Sequence, residues 1–138
     1  EPLERSGNRF AVPECHLHLA RTLVALGRPD AALEHAERGR DVALTYQMRR
    51  ERVALDALIA GLTADCEVFE VLRAEAEAHH MTDQMLWCFE QEGLAFAKLG
   101  ATEEAAEVWV MGLRIASERG YELFVDRFRA YLRGESGA

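Results

Sequence analysis

The chain has 138 residues, of which 49% are hydrophobic and 29% charged, and its formal net charge is −8 at pH 7. This length suits one domain with a hydrophobic core and is short for two. The negative charge disfavours non-specific binding to nucleic acid, which requires a basic face. Because no apolar run approaches the roughly 20 residues that cross a bilayer, we also expect no membrane contact.

Three cysteines, Cys15, Cys66 and Cys88, form no CxxC pair. Widely spaced cysteines in odd number are typical of buried thiols in a reducing compartment, so we expect a cytoplasmic protein. The first residues have neither an initiator methionine nor the basic and apolar segments of a signal peptide. This start predicts a piece of a larger protein. Lys98, the only lysine among 16 basic residues, suggests a GC-rich bacterial coding sequence.

Prolines and helical periodicity predict an all-α fold. All three prolines lie within the first 29 residues, and the alternating patterns typical of strands are absent. We expect a lead-in over residues 1–12, followed by a helix from Pro13 to about Leu26. Apolar residues lie on two sides of this helix, Leu19 on one and Val24 on the other. This distribution predicts that neighbouring helices cover it on both sides.

Helix boundaries are less clearly marked in the middle of the chain. After a second helix that begins at Pro29, a third is predicted from Ala43 to about Gly61, with a break or bend near Gln47. A turn at residues 63–65 then precedes a helix from Cys66 to Ala78. The remaining helices are predicted over residues 83–99, 102–118 and 120–134.

The last of these segments has the clearest amphipathic pattern in the chain. Its apolar stripe consists of Tyr121, Phe124, Val125, Phe128, Tyr131 and Leu132. Charged residues lie opposite this stripe. The pattern predicts a terminal helix that buries one face and exposes the other to water.

Two stretches of the chain match each other at a fixed offset. Aligning Gly27 on Gly100, 73 residues later, also aligns Ala32 on Ala105. The offset is close to two repeat units of about 34 residues plus a short insertion. A third, degenerate unit therefore fits between the two clear ones.

These matched residues resemble the tetratricopeptide repeat (TPR) family. Its helix-turn-helix unit has a small residue in the first helix, a large apolar residue three positions later, a Leu-Gly turn, and small or apolar residues in the second helix. The matching residues are Ala20, Leu23, Leu26, Gly27, Ala32, Ala36 and Gly39, and then Gly93, Phe96, Leu99, Gly100, Ala105, Trp109 and Gly112. The middle unit departs from the pattern, since Cys66 stands where an alanine is expected.

The resemblance implies a right-handed TPR-like α-solenoid of about three repeats. The implied segments of this single helical domain are repeat 1 over residues 13–44, a degenerate repeat 2 over 45–81, repeat 3 over 82–118 and a capping helix over 120–134. Small residues in such repeats mark close helix crossings, and large ones fill the gaps between units.

The resemblance also implies a concave surface, built from first helices, that binds a peptide or a partner segment. The residues at the corresponding positions are Leu17, Arg21, Val24, Glu51, Leu55, Glu90, Leu94 and Lys98. Family members that bind acidic C-terminal peptides use Lys and Asn in these places, and that set is largely missing here. An apolar or helical ligand therefore fits better, and we expect a non-enzymatic interaction module, a regulatory or assembly arm of a larger protein.

Two other functions stay open at this point. One is a small-molecule sensor with a pocket between helices, lined by Trp87, Phe96, Trp109 and Tyr121, although these aromatics also suit an ordinary core. The other is a homodimer formed through the end helix, with Phe124, Phe128 and Tyr131 exposed in the isolated subunit. As a cap of the repeat, the same three residues would instead contact the preceding helix.

No motif in the chain predicts catalysis, a metal or a cofactor. Cys15 with His16 and His18, and His79-His80 with Cys88, lack the paired ligand spacing of zinc sites. No cysteine has a recognisable base and orienting group, and no glycine-rich phosphate loop is present. The carboxylates between Asp65 and Glu77 form either a solvated acidic face or a docking surface for a basic partner.

Overall fold

The fold is all-α, as predicted. A computed structural model describes residues 9–134, which contain seven α-helices, a short 3-10 turn at Arg9–Ala11 and no strand. The helices are α1 (Val12–Ala25), α2 (Pro29–Thr45), α3 (Arg49–Thr63), α4 (Phe69–Ala78), α5 (Thr82–Lys98), α6 (Thr102–Arg119) and α7 (Glu122–Leu132). The predictions made for residues 1–8 and 135–138 lie outside the described residues.

Two helix boundaries can be compared directly with the predictions. The predicted break near Gln47 is present, because α2 ends at Thr45 and α3 begins at Arg49. The helix predicted from Cys66 begins instead at Phe69. In the preceding turn, the carboxylate of Asp65 accepts a 3.2 Å hydrogen bond from the backbone N–H of Glu67. Such local side-chain bonds compete with helix formation, and they delay the start of α4.

Two turns of the chain have the same backbone geometry at the predicted offset. Gly27 has a φ of +74°, and the N–H of Arg28 donates to the carbonyl of Leu23 at 2.8 Å. In the later turn, Gly100 has a φ of +75°, and the N–H of Ala101 donates to the carbonyl of Phe96 at 3.0 Å. Both are Schellman helix ends, in which a left-handed residue closes the last turn. The offset of 73 residues therefore holds for the backbone as well as for the sequence.

Three further helix ends adopt the left-handed conformation without glycine. Gln47, Ala64 and His80 have φ values of 56°, 54° and 57°. After Gln47 and His80, the N–H groups of Met48 and Met81 each donate a 2.8 Å bond back into the helix that is ending. Residues with a Cβ adopt this conformation at a cost of about 1 kcal/mol. These turns therefore form despite the intrinsic preference of the residues that make them.

The chain divides into two compact units, residues 1–59 and 60–138, at a point within α3. In the first unit α1 packs against α2. Their contact is close at Gly39 of α2, where an added Cβ would lie 2.8 Å from Cβ of His16 and 3.3 Å from Cδ1 of Leu55. Residues of α1, α2 and α3 therefore meet around a position that only glycine fits.

In the second unit α4 packs on α5, α5 on α6, and α6 on α7. Glycines again lie at the close crossings. A Cβ added at Gly93 would overlap the indole of Trp109, and one added at Gly112 would lie 2.5 Å from Cζ of Phe128. Every residue from Met85 to Gly93 is buried, so this part of α5 is enclosed on all sides and lies at the centre of this unit.

Helix α1, by contrast, is buried on one face. Its buried residues are Val12, Pro13, His16, Ala20 and Leu23. Leu19 and Val24, on either side of this face, are 42% and 39% exposed. The prediction that α1 is covered on both sides is therefore wrong, and α1 presents apolar side chains on two flanks.

Candidate functional site

Three of the residues predicted to bind a partner form a ridge on α1. Leu17, Arg21 and Val24 are spaced four and three residues apart, so they lie on one side of the helix. Leu17 is half-buried, and the other two are exposed. We call this set the α1 ridge. It is the part of the predicted surface that the first unit makes accessible.

The two predicted residues of α3 differ in accessibility. Glu51 is half-buried, whereas Leu55 has no exposed surface and lies against the crossing at Gly39. Leu55 therefore contributes to the interior of the first unit, where a ligand on the surface does not reach it.

The three predicted residues of α5 also differ in accessibility. Lys98 is exposed, and its Nζ lies 3.4 Å from the carbonyl oxygen of Leu62, to which it donates. Leu94 is half-buried. Glu90 is buried, with 4% of its surface exposed. In the second unit the predicted surface is therefore reduced to the C-terminal end of α5.

Glu90 is held by two donors from α7. Its Oε1 accepts a 2.5 Å hydrogen bond from the guanidinium of Arg127, and its Oε2 accepts a 2.7 Å bond from the hydroxyl of Tyr131. A buried carboxylate is costly unless donors of this kind compensate its lost hydration. Because both donors lie on α7, the carboxylate that they stabilise also fastens α7 to α5.

Aromatic contacts surround this carboxylate. The rings of Trp109 and Tyr131 stack with centroids 4.8 Å apart, and the Trp109 indole N–H donates to the backbone carbonyl of Glu90 at 3.3 Å. The Arg127 guanidinium lies over the ring of Phe124, 4.3 Å from its centroid. Among the described residues, the Nε–H of Arg127 is buried without an acceptor. The arginine is therefore held by one carboxylate and one ring.

Glu92 forms a second ion pair, on another side of α5. Its carboxylate accepts a hydrogen bond from Arg73 of α4, whose guanidinium also lies 4.7 Å from the ring centroid of Phe89. Burial raises the pKa of Glu92, while Arg73 lowers it and Glu70 raises it further. The net direction is upward, so burial disfavours the charged form more than Arg73 favours it.

The three thiols occupy different environments. Cys15 is exposed, Cys66 half-buried and Cys88 buried, and none of them is in a disulfide. Burial raises the pKa of Cys66, and the negative charges of Glu92 and Asp65 raise it further. A raised pKa keeps the thiol protonated and weakly nucleophilic at neutral pH. This environment suits a structural cysteine.

The first unit has its own polar contacts between helices. The Nδ1 atoms of His16 and His35 are 3.2 Å apart, so one ring donates and the other accepts. Asp56 of α3 accepts a 2.5 Å bond from Arg40 of α2 and a 3.1 Å bond from Arg52 of its own helix. These contacts connect α1 to α2 and α2 to α3.

The residues predicted as a dimer or cap contact lie mainly inside the second unit. Phe128 has no exposed surface and fits against Gly112, while Tyr131 is buried on Trp109. Phe124 is half-buried. Phe128 and Tyr131 pack on residues of the preceding helix, α6, and neither is exposed on the surface.

The aromatics considered for a ligand pocket do not share one environment. Trp87 and Trp109 are buried, Phe96 is half-buried and Tyr121 is exposed in the turn before α7. The ring of Trp109 fills the space between Gly93 and Tyr131. It therefore acts as packing in the crossing of α5 and α6.

The cysteine and histidine groups considered as metal ligands are also separated. His16 faces His35, whereas Nε2 of His18 lies 3.6 Å from the carboxylate of Glu14 on the exposed side of α1. Within residues 9–134, no three His, Cys, Asp or Glu side chains are grouped so that they could hold a metal ion. In the same part of the chain, no helix is both long and apolar enough to span a membrane.

Sequence reasoning missed the partners of Glu90 and Glu92. A signal for them was present, because Glu90-Gln91-Glu92 directly follows the apolar run from Met85 to Phe89. A helix that is apolar on all sides is buried, and polar residues within it need partners. This signal predicts that the triplet is paired, but it does not say with which residues.

Comparison with known proteins identifies no family for this chain. No family model matches it, and neither curated proteins nor solved structures give a significant match. The functional interpretation therefore depends on the residues of the chain itself.

Proposed function

We propose that the chain is a non-enzymatic protein interaction module, a TPR-like right-handed helical repeat that binds a peptide or partner segment. It acts in the bacterial cytoplasm as the regulatory or assembly arm of a larger protein. The observation that carries this proposal is the α1 ridge, where Leu17, Arg21 and Val24 present aliphatic surface and one cation on the same side of a first helix.

The recurring backbone geometry supports a repeat scaffold. The turns at Gly27 and Gly100 have matching φ values and hydrogen bonds. Gly39, Gly93 and Gly112 each lie at a helix crossing that a Cβ would obstruct. Repeated hairpins with close crossings are typical of solenoids, which bind partners through exposed helix faces.

The paired carboxylates support a structural use of charge between helices. Glu90 is held by Arg127 and Tyr131, and Asp56 by two arginines. A carboxylate whose oxygens are already used inside the protein suits the stabilisation of helix contacts. These carboxylates are therefore not part of the proposed binding site, which is the α1 ridge.

A selection experiment tests the proposal. Random peptides are displayed on phage, selected on the immobilised full chain, and measured against single variants by fluorescence anisotropy. We expect Val24→Asp and Arg21→Glu to weaken the selected peptides about tenfold, because both changes alter the α1 ridge. Thr22→Asp, at an exposed position of the same helix about 100° from Arg21 and farther from Leu17 and Val24, is the matched control and should leave binding unchanged.

Two results would contradict the proposal. The first is a selection that yields no peptide above background. The second is a set of peptides that bind the ridge variants and the control equally well, since the ridge would then take no part in binding.

A further inference from the structure

Helices α1 and α2 meet through the side chains of two histidines. The Nδ1 atoms of His16 and His35 lie 3.2 Å apart, and the centroids of the two rings are 5.3 Å apart. His16 is buried, with 4% of its surface exposed, and His35 is half-buried. The contact therefore places two titratable rings against each other where α1 crosses α2.

The base of the His16 side chain is closely packed on α2. A Cβ added at Gly39 would lie 2.8 Å from Cβ and 3.5 Å from Cγ of His16, and 3.3 Å from Cδ1 of Leu55 on α3. There is thus no space along α2 into which His16 could withdraw. Separating its ring from His35 requires α1 itself to move.

The two facing nitrogens have room for one hydrogen. A neutral imidazole carries a hydrogen on one ring nitrogen and a lone pair on the other, so one Nδ1 donates and the other accepts. A first added proton leaves this bond intact when it goes to Nε2 of the donor ring. A second one puts a hydrogen on each Nδ1, and two N–H groups then face each other across 3.2 Å. Rotating one ring removes that clash but leaves two cations with centroids 5.3 Å apart.

The charged residues around the pair offer little compensation for a second positive charge. The buried face of α1 has no charged residue besides His16 itself. The half-buried charged residues within five positions of His35 on α2 or of Leu55 on α3 are Arg38, Arg40, Glu51, Arg52 and Asp56. Asp56 already accepts hydrogen bonds from Arg40 and Arg52. Within this set, Glu51 is left to balance a first added proton, and no carboxylate is left to balance a second.

We propose that His16 and His35 form a pH switch that releases α1 from α2 when both rings become protonated. At neutral pH the hydrogen between the rings holds the two helices together. As the pH falls, a detached α1 lets the pair bind one more proton than the docked helix does, so acid favours detachment. Histidine titrates at about pH 6.5 in unfolded chains, and release should begin below this pH.

A variant that keeps the hydrogen bond but does not titrate tests the switch. In His35→Gln the side-chain carbonyl still accepts from Nδ1 of His16, whether or not that ring is charged. Melting temperatures of the full chain are measured from about pH 7.5 to about pH 5, with EDTA present so that no metal ion bridges the rings. Relative to the native chain, the variant should gain roughly 4 °C for each pH unit below pH 6, because the native chain binds one more proton when it unfolds.

His18→Gln is the matched control for this titration. His18 lies on the exposed side of α1, with Nε2 3.6 Å from the carboxylate of Glu14. Its substitution also removes one histidine from α1 but leaves the pair intact. The melting temperature of this control should follow that of the native chain with pH.

Two local measurements on the native chain do not depend on how the variant folds. Imidazole nitrogen-15 chemical shifts distinguish protonated from unprotonated ring nitrogens, and at about pH 7.5 one of the two Nδ1 atoms should carry a hydrogen and the other none. Amide hydrogen exchange follows the release. In acid, and after correction for intrinsic rates, the amides of α1 should lose more protection than those of α5.

Three results would overturn the proposal. The first is the same pH dependence of melting temperature for the native chain and His35→Gln. The second is the same protonation state at both Nδ1 atoms in the neutral pair. The third is protection of the α1 amides that does not fall in acid. None of these measurements uses a ligand, so the switch and the proposed function can fail independently.

Discussion

The hydroxyl of Tyr131 donates a 2.7 Å hydrogen bond to Oε2 of Glu90, which lies 41 residues earlier in the chain. The ring of Tyr131 also stacks on Trp109, whose indole N–H donates to the backbone carbonyl of Glu90. Helices α5, α6 and α7 therefore meet at one carboxylate and one pair of rings. The hydrogen bonds and the ring stacking therefore hold the same three helices together.

Removing the Tyr131 hydroxyl should destabilise the protein. The substitution Tyr131→Phe keeps the stacked ring but withdraws a donor from a buried charge, which costs about 2 kcal/mol of unfolding free energy. Urea denaturation of the full chain measures this loss. Tyr121→Phe, at a partly exposed position, is the matched control and should change stability little. An equal effect of both substitutions would show that the bond to Glu90 contributes nothing specific.

Adding one methyl group at Gly93 should destabilise the folded protein more than the size of the group suggests. The Cβ of Gly93→Ala would overlap the indole of Trp109, so α5 and α6 must separate, at a cost of about 3 kcal/mol. Trp109→Leu makes room for the methyl group. A double-mutant cycle with both changes should therefore cost less than the sum of the single changes. Strict additivity in denaturation experiments would refute the predicted clash.

Glycine should stabilise two of the left-handed helix ends. Gln47→Gly and His80→Gly relieve the strain of a Cβ at φ values of 56° and 57°, and each should add about 0.5 to 1 kcal/mol of stability. The control Gln47→Ala keeps a Cβ and should not stabilise. Thermal denaturation followed by circular dichroism tests these changes. A lower melting temperature for both glycine variants would mean that their side chains contribute more than the backbone strain costs.

The stability of the protein should depend on pH through Glu92. Burial raises the pKa of this carboxyl in the folded state, so the folded protein retains its proton at a pH where the unfolded chain has lost it. The contribution of Glu92 is fully present below the unfolded pKa of about 4.3 and is lost as the pH rises through the folded pKa. Glu92→Gln does not titrate, and its melting temperature relative to the native chain should therefore rise with pH across this window.

Glu107→Gln is the control for this titration. Glu107 is exposed on α6, so its substitution tests the removal of a negative charge outside the buried pair. If the difference between the native chain and Glu92→Gln stays constant from acidic to neutral pH, or falls as the pH rises, the proposed coupling of Glu92 to folding is wrong.

The sequence allowed the helices to be predicted because each helix is encoded locally. Gly27, Gly100 and Gly120 tolerate the left-handed conformation, and all three do end helices. His80 ends α4 in the same conformation without glycine. Its turn could be predicted from the end of the apolar pattern, whereas its backbone geometry could not. Local chemistry therefore predicts the position at which a helix ends better than it predicts the backbone conformation of that end.

The burial of Glu90 could not be predicted in this way. Its position within the repeat pattern placed it on a binding surface, but its donors, Arg127 and Tyr131, lie 37 and 41 residues later. Periodicity within one helix carries no information about such distant partners. The apolar stripe of α7 did predict a buried face, yet it did not reveal that Arg127, outside the stripe, turns inward to a carboxylate.

The enclosure of α5 has a consequence for the evolution of this protein. A residue in the buried segment from Met85 to Gly93 contacts a neighbour in every direction, so a substitution there requires compensating changes in another helix. Within residues 9–134, the exposed side of α1 is packed less tightly and is under a weaker constraint of this kind. Among homologues we therefore expect α5 to change slowly and in concert with α4, α6 and α7. A residue on the exposed side of α1 that changes equally slowly would indicate a contact with something outside residues 9–134.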